Sequence, residues 1–218
     1  LAPHELAVRL SYLVTASMPD AELQAAADNG SLADPTVLAQ HARRLAVATG
    51  GRPLADGFGA QWLHFADVLT ANADFRRYPE IWNGNLRPAL YEEAAQFFAA
   101  LVRDDASVLQ LLDADHTWLD EGLAKLYGIG GVTGRTFVRV SLPDRRRGGV
   151  LGMGAVLMAT SFPLRTSPVL RGRWILDSLL DAPPPPPPAN AGTLPKDDVQ
   201  PDGITLRDRL LAHRRSPS

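Results

Sequence analysis

The sequence predicts an all-α protein, a multi-helix bundle with at most a minor β element near residues 136–142. Apolar residues recur at three- and four-residue intervals through most of the 218 positions, as they do on one face of a helix. Residues typical of helix starts and stops, such as Asp34 with Pro35 and the pair Asn29-Gly30, separate these stretches. Only Thr136–Leu142 shows the two-residue alternation of a strand.

Three helices are expected in the first 50 residues. The first covers residues 3–16, a short alanine-rich helix ends at Asn29-Gly30, and Asp34 caps a third that begins at Pro35 and runs to about Ala48. The inner face of the first helix is predicted to comprise Leu6, Leu10, Leu13 and Val14.

The next stretch predicts two more helices around an irregular connection. Leu54–Val68 is expected to be helical, with Phe58, Trp62 and Phe65 in the core and glycines that permit close helix packing. Residues 70–85 show no hydrophobic period, which predicts an irregular connection. Pro88 then begins a long helix to about Arg103. Its predicted buried stripe is Leu90, Ala94, Phe97, Phe98 and Leu101.

A shorter helix is expected after Ser107–Leu112, a single helical turn. Thr117 precedes Asp120 by three residues, which matches a helix start with Thr117 as the cap. Gly128 is expected to end this helix, and the strand Thr136–Leu142 must find an extended segment to pair with. The predicted inner face is Leu119, Leu123 and Leu126, with Ile129 packing back on Leu123.

The last third predicts a joint followed by a spacer. Gly148–Met158 has the small apolar residues of a helix buried on every side, and Ser167 with Pro168 begins the next helix. Pro183–Pro188 must be extended, and six residues of polyproline II span about 19 Å. The helix residues expected inward are Val169, Ile175, Leu176 and Leu179. We therefore divide the chain into a helical domain (1–142), a helical joint with the proline run (143–188), and a linker with a basic amphipathic terminal helix (189–218).

Composition excludes several classes of function. A hydrophobic content of 45% with 21% charged residues is typical of a soluble globular protein, and a net charge of −2 argues against nucleic-acid binding. Because there is no cysteine, this chain has no disulfides, no thiolate catalysis, no cysteine metal sites and no Cys-x-x-Cys-His haem attachment. Its longest apolar run, Gly148–Ala159, is shorter than the roughly 20 residues of a membrane span, and no signal-peptide pattern precedes the first helix.

The densest polar cluster is a candidate metal site. It comprises Asp113, Asp115, His116, Asp120 and Glu121. Carboxylates with a histidine suit a hard or borderline metal, but helix capping explains Asp115 and Asp120 better, because negative charge is favourable at a helix start. The same cluster is the basis of a third functional hypothesis, a metal-dependent hydrolase.

Other candidate groups match no known catalytic motif. His64 or His213 could ligate a haem iron, but we expect all five histidines (His4, His41, His64, His116, His213) to lie at the surface or the core edge. None of Ser11, Ser161 and Ser167 lies in a Gly-x-Ser-x-Gly motif, and the glycines of residues 148–154 lack the lysine of a phosphate-binding loop.

The arginines of the last third offer an anion-binding or partner-docking patch. They are Arg145, Arg146, Arg147, Arg165, Arg171 and Arg173. The competing and preferred interpretation is a solvated surface with one or two structural ion pairs. In either case we expect Arg165 or Arg171 to form hydrogen bonds to the backbone that hold the turn at Thr166–Pro168.

Several of these motifs together resemble a known family. They are Arg147–Gly152 (RGGVLG), Thr160–Pro163 (TSFP), Arg165–Val169 (RTSPV) and Arg171–Trp174 (RGRW). They resemble the planctomycete-type cytochrome c domain family, a set of domains of unknown function in large bacterial proteins. The upstream segments Leu6–Tyr12, Met18–Asp20, Gln61–Leu63 and Asp113–Leu119 resemble its companion domain. The positions that the resemblance marks as structural or interacting are Arg147, Gly148, Gly149, Arg165, Thr166, Ser167, Pro168, Arg171 and Gly172.

The resemblance implies a setting rather than a reaction. In the family, the segment that corresponds to Leu206–Ser218 leads into a Cys-x-x-Cys-His motif, so c-type haem is expected in a continuation outside this chain. It further implies a periplasmic or cell-surface location and a haem-bearing domain of the same polypeptide, or a redox protein, as partner. We expect a non-catalytic structural and interaction module that positions a haem domain for electron transfer. The alternative is a part of a haem-dependent oxidoreductase whose catalytic segment lies elsewhere.

Overall fold

The computed structural model describes residues 1–74, 76, 78–82, 86–144, 147–186 and 204–215. Within these ranges the protein is mainly α-helical, with two small two-stranded antiparallel sheets. The predicted fold class is therefore confirmed. No helix in the described ranges is long and apolar enough to span a membrane.

The bounds of the helices and strands are as follows. The helices are α1 Pro3–Thr15, α2 Ala21–Asp28, α3 Pro35–Ala48, α4 Arg52–Leu54, α5 Ala60–Trp62, α6 Pro79–Trp82, α7 Leu86–Arg103, α8 Gln110–Asp113, α9 Glu121–Tyr127, α10 Gly154–Ala159, α11 Pro168–Trp174 and α12 Leu206–Arg215. The strands are β1 His116–Leu119, β2 Val138–Ser141, β3 Ser161–Phe162 and β4 Arg165–Thr166. Single turns of 3₁₀-helix cover Ser31–Ala33, Phe65–Leu69 and Val150–Gly152, and π-helical turns cover Ala55–Gly59 and Ile175–Leu179.

Side-chain caps fix where several helices begin and end. The Asp34 carboxylate accepts a hydrogen bond from the Thr36 N–H, and the Ser167 hydroxyl accepts one from the Leu170 N–H, as the sequence predicts. At the end of α9, Gly128 adopts a φ of 70° and the Ile129 N–H donates to the Ala124 oxygen at 2.9 Å. This arrangement is the predicted glycine stop, which satisfies the last carbonyls of the helix.

Two hydrophobic clusters form the interior. The smaller one joins α1, α2 and α3 through Ala7, Val14, Leu23 and Leu45. The larger one surrounds α7 and contains residues from both sides of position 142. Its members include Leu63, Phe65, Leu90, Phe97, Leu119, Leu123, Val150, Met153, Val156 and Trp174. The division of the chain at residues 142 and 188 stays a prediction.

The segment around Thr117 is a strand, so the prediction of Thr117 as a helix cap is wrong. β1 pairs with β2 in antiparallel register, with His116 opposite Ser141 and Leu119 opposite Val138. Asp120 is the cap of α9, since its carboxylate accepts from the Leu123 N–H at 2.8 Å. Pairing with β2 keeps residues 116–119 extended, and β1 is the extended partner that the isolated strand pattern required.

The expected helix at residues 54–68 is broken twice. A π-helical turn at Ala55–Gly59 inserts an extra residue, and His64 adopts a φ of 58° before the 3₁₀ turn. An inserted residue rotates the helix face that follows it relative to the face before it, so Phe58 and Phe65 do not share one face. Phe65 is fully buried, whereas Phe58 is 47% exposed. The prediction of Phe58 as a core residue is wrong for that reason. The predicted close approach does occur, because a Cβ on Gly59 would lie 2.9 Å from the Phe98 ring.

The predicted helix at Gly148–Met158 begins only at Gly154. Gly149 has φ 63° and ψ −172°, a conformation that is essentially restricted to glycine, and a Cβ there would collide with the backbone oxygen of Leu111.

Three further residues predicted to face inward are exposed, by 58% at Leu13, 45% at Leu126 and 61% at Val169. On α1 the buried face is Ala7, Ser11 and Val14, so smaller residues than predicted contact α2 and α3.

The chain leaves the joint in an exposed, non-helical stretch. Pro183–Pro186 are exposed and outside any helix, as expected of the proline run. The expected terminal helix is confirmed as α12. The remaining prolines of the run and the predicted linker up to Gly203 lie outside the described residues.

Candidate functional site

Three of the predicted arginines line one cleft of about 780 Å³. We call this space the arginine cleft and define it by Arg147, Arg165, Arg171, Tyr127 and Leu90. Its other lining residues include Asp67, Ala71, Tyr78, Glu80, Ile81, Leu86, Leu157, Met158, Phe162 and Thr166. The cleft thus lies where segment 147–171 meets α6, α7 and α9.

Arg171 is held by hydrogen bonds to three residues. Its Nη2 atom donates to the Thr166 hydroxyl at 3.2 Å and to the Leu157 backbone oxygen at 3.4 Å, and its Nε atom donates to the Thr160 hydroxyl at 3.3 Å. These bonds tie α11 to β4 and to the end of α10. Partial burial lowers the pKa of the Arg171 guanidinium.

The other two cleft arginines lie over aromatic rings. The Arg165 guanidinium carbon is 4.5 Å from the centroid of the Phe162 ring, its partner across β3 and β4. The Arg147 guanidinium carbon is 3.9 Å from the centroid of the Tyr127 ring, and its Nη1 atom donates to the Gly152 oxygen at 3.3 Å. Such cation–π contacts orient the guanidinium groups along the cleft wall.

Directly behind the cleft, a buried carboxylate joins four elements. Glu93 on α7 is only 1% exposed. It accepts hydrogen bonds from the Thr117 hydroxyl of β1 at 2.7 Å and from the Tyr127 hydroxyl of α9 at 2.5 Å. The Tyr127 hydroxyl in turn accepts from the Gly154 N–H at 2.8 Å, where α10 begins. This network, which we call the Glu93 network, fixes one wall of the cleft.

Glu93 titrates near neutrality. Burial raises the pKa of Glu93 to about 7, although the hydrogen bonds from Tyr127 and Thr117 and the charge of Arg147 act in the opposite direction. Burial and the Glu93 carboxylate raise the pKa of Tyr127 well above its usual value. The tyrosine therefore stays protonated and acts as a donor to Glu93.

Glu93 is not among the predicted site residues, although the sequence pattern contains a signal for it. Leu90, Glu93, Ala94 and Phe97 follow the spacing i, i+3, i+4 and i+7 of a buried helix face. A charged residue in such a stripe indicates a buried polar partner, because an isolated buried charge is costly. The partners themselves lie 24 and 34 residues away along the chain.

The acidic cluster around His116 does not form a metal site in the described structure. The buried His116 ring packs against Phe97 and Trp118, and its Nδ1 atom is 3.0 Å from an Asp115 carboxylate oxygen. Asp120 caps α9, and Glu121 binds the Lys125 side chain and the Gly134 N–H. Within the described ranges, no group of three or more histidine, aspartate or glutamate residues could hold a metal ion.

The remaining predicted positions are dispersed. Ser167 and Pro168 begin α11, Gly149 lies against Leu111, and a Cβ on Gly172 would meet open space. Arg173 pairs with Asp177 at 3.1 Å on the exposed side of α11, outside the arginine cleft. Arg145, Arg146 and the side chain of His213 lie outside the described residues. Gly148 is partly buried.

Two tryptophans link the early and late parts of the chain reciprocally. The Trp62 indole N–H donates to the Ser178 backbone oxygen at 2.7 Å. The Trp174 indole N–H donates to the Leu63 backbone oxygen at 3.2 Å. Because each indole bonds the backbone beside the other, these two contacts fix α11 and the π turn after it against residues 62–63.

Comparison with known proteins gives two family matches. The family described as PSD4, a protein of unknown function (DUF1592), matches residues 1–129. The family described as PSCyt3, also a protein of unknown function (DUF1588), matches residues 147–218. No curated protein and no solved structure matches the chain. The resemblance inferred from the motifs is thereby confirmed. With no cysteine, the chain itself cannot carry a haem attached through thiols.

Proposed function

The chain belongs to the PSD4 family of proteins of unknown function, with a PSCyt3 segment after it, and from this premise we propose that it is a structural and interaction module of an exported cytochrome c-like protein. It positions a haem domain for electron transfer and performs no catalysis itself. The haem is carried by a cysteine-containing part of the same polypeptide or by a redox partner. The complete protein acts in the periplasm or at the cell surface.

The reciprocal tryptophan contacts are the observation that supports this proposal most directly. Electron transfer slows steeply as the distance between redox centres grows, so a positioning module must hold its two ends at a fixed separation. Trp62 and Trp174 join the two family segments through one partly buried and one buried hydrogen bond, and Trp174 belongs to the larger hydrophobic cluster. Buried bonds of this kind resist local opening, because each broken bond leaves an unsatisfied polar group.

The proline run supports the same proposal. Pro183–Pro186 leave the joint only a few residues after Ser178, and proline-rich segments adopt extended polyproline II with about 3.1 Å per residue. A semi-rigid spacer anchored in a rigid joint carries whatever follows it in a defined direction. A flexible glycine-rich linker would not do so.

The test measures the distance between the module and a haem in the whole natural polypeptide. A spin label is attached to a cysteine placed at Val47, which is 60% exposed and lies in a segment with no cysteine of its own. Cysteines that attach a c-type haem are thioethers and do not react with a thiol-specific label. Pulsed electron paramagnetic resonance then gives the distribution of distances from the label to the ferric haem. We expect a narrow distribution, and we expect it to broaden when Trp62 and Trp174 are both replaced by phenylalanine.

The control is Trp118→Phe, which changes a tryptophan that contacts Phe97 and His116 instead of the junction. This variant should keep the narrow distribution. A whole polypeptide that contains no haem and binds no haem protein would overturn the proposal. A distribution that is already broad in the unaltered protein would do the same.

A further inference from the structure

We propose that the arginine cleft is a binding site for a small amphipathic organic monoanion, a carboxylate attached to an apolar body. The positioning function needs no such ligand, so this site would give the module a second property. The inference rests on the shape of the cleft, on its apolar lining and on the arrangement of its charges.

The cleft has the size and lining of a small-molecule site. Its volume of about 780 Å³ falls within the range of roughly 300–1,000 Å³ that is typical of ligand pockets. Leu90, at 3% exposure, belongs to the larger hydrophobic cluster, and Leu157 and Met158 of α10 lie on the same lining. Ile81 and Leu86 bring further apolar surface from α6 and the start of α7. An apolar body of six to ten carbon atoms would remove this surface from water, which is the main source of affinity for such ligands.

The guanidinium groups give the cleft its polarity. Arg147, Arg165 and Arg171 all come from the second family segment, which therefore contributes three positive charges to the lining of the cleft. Arg171 uses Nε and Nη2 to bond Thr160, Leu157 and Thr166, and a guanidinium has five N–H donors. Arg147 uses Nη1 to bond Gly152. Both groups are therefore held in place by the protein. Arg171 keeps the two N–H donors of Nη1, and Arg147 keeps those of Nε and Nη2, the adjacent pair that suits bidentate recognition of a carboxylate.

The cleft also contains carboxylates that limit what can bind. Asp67 and Glu80 line the cleft and come from the first family segment. A ligand with one negative group can place it at the three arginines, whereas a second negative group would approach these carboxylates and be repelled. This arrangement selects a monoanion over a polyanion such as a nucleic acid or a polyacidic peptide.

The test titrates this chain with defined probes by calorimetry and by amide chemical shifts. The probes are octanoate and 3-phenylpropionate, with octanamide as the neutral counterpart, inorganic phosphate as a small anion, and a hexaglutamate peptide as a polyanion. We expect saturable binding of the two monocarboxylates, with shifts at Tyr127, Gly154 and Leu157. We expect the amide, phosphate and the peptide to bind at least about tenfold more weakly, because each lacks the apolar body, the single charge or both.

Arginine variants locate the site. Arg165→Gln should weaken octanoate binding by about tenfold, and Arg165→Lys, which keeps the charge, should recover part of it. The matched control is Arg173→Gln, since Arg173 is exposed and pairs with Asp177 outside the arginine cleft. Unfolding curves of each variant show that it is folded.

Where the monocarboxylates do bind, three results would overturn the proposal. They are equal binding of octanamide and octanoate, phosphate or hexaglutamate binding as tightly as octanoate, and an equal loss of binding in Arg165→Gln and Arg173→Gln. The absence of saturable binding by either monocarboxylate would overturn it as well.

Discussion

Glu93 shows how one buried residue can set the pH response of the protein. Because the carboxylate is buried, its pKa is raised to about 7 from its usual value of 4.5. The folded state therefore holds a proton more tightly than the unfolded state. The stability that this proton contributes is fully present below pH 4.5 and is lost as pH rises through 7.

We expect the free energy of unfolding to fall by about 3 kcal/mol between pH 5 and pH 8 from this group alone. Urea unfolding at several pH values measures it. In Glu93→Gln the decline should largely disappear, because the side chain no longer titrates. Glu5→Gln, at an exposed site where the carboxylate pairs with Arg9, should keep the decline. A Glu93→Gln protein with the same pH dependence as the unaltered chain would show that Glu93 is not the group responsible.

Tyr127 is the second residue on which this wall of the arginine cleft depends. Tyr127→Phe leaves one oxygen of Glu93 without its donor and the Gly154 N–H without its acceptor. We expect a loss of about 1–3 kcal/mol in the free energy of unfolding, measured in urea at pH 6. Tyr12→Phe, at a tyrosine that is 51% exposed, should change it by less than about 0.5 kcal/mol. Equal effects in the two variants would contradict the role of the Glu93 network.

At the scale of elements, the turn before α10 depends on a single glycine conformation. Gly149→Ala should destabilise the protein by about 1–3 kcal/mol or more, since the backbone conformation is unfavourable for alanine and the new Cβ meets the Leu111 backbone. Thermal unfolding measures the change. Gly130→Ala is the matched control, because Gly130 has ordinary backbone angles and open space around its Cβ position. A Gly149→Ala protein as stable as the control would contradict the conformation described for this turn.

The elements that could be predicted from sequence are those specified by local signals. Asp34, Ser167 and Gly128 act within a few residues of themselves, and their helices begin or end where predicted. The prediction of Thr117 as a cap is wrong because Asp120, three residues later, is an equally good cap. Which of the two residues caps the helix depends on the pairing of β1 with a strand about 20 residues away. The arginines of the cleft were singled out by type, but their convergence depends on how segment 147–171 packs against α7, which no local pattern encodes.

At the scale of the whole molecule, the larger hydrophobic cluster makes residues 1–142 dependent on the segment that follows. Val150, Met153 and Val156 are each almost fully buried in this cluster, and Trp174 is 6% exposed. Without them, α7 would expose Leu90 and neighbouring apolar residues to water. The hydrogen bond from the Gly154 N–H to Tyr127 would be absent too.

We therefore expect a fragment of residues 1–142 to lose cooperative thermal unfolding and to bind the dye ANS, which reports exposed apolar surface. A fragment of residues 1–186 is the matched control. It keeps every member of both hydrophobic clusters and should unfold in one transition, at the same temperature as the whole chain. If residues 1–142 alone unfolded cooperatively without binding ANS, this part of the chain would be an independent domain. The late segment would then be an addition to a core that is already complete.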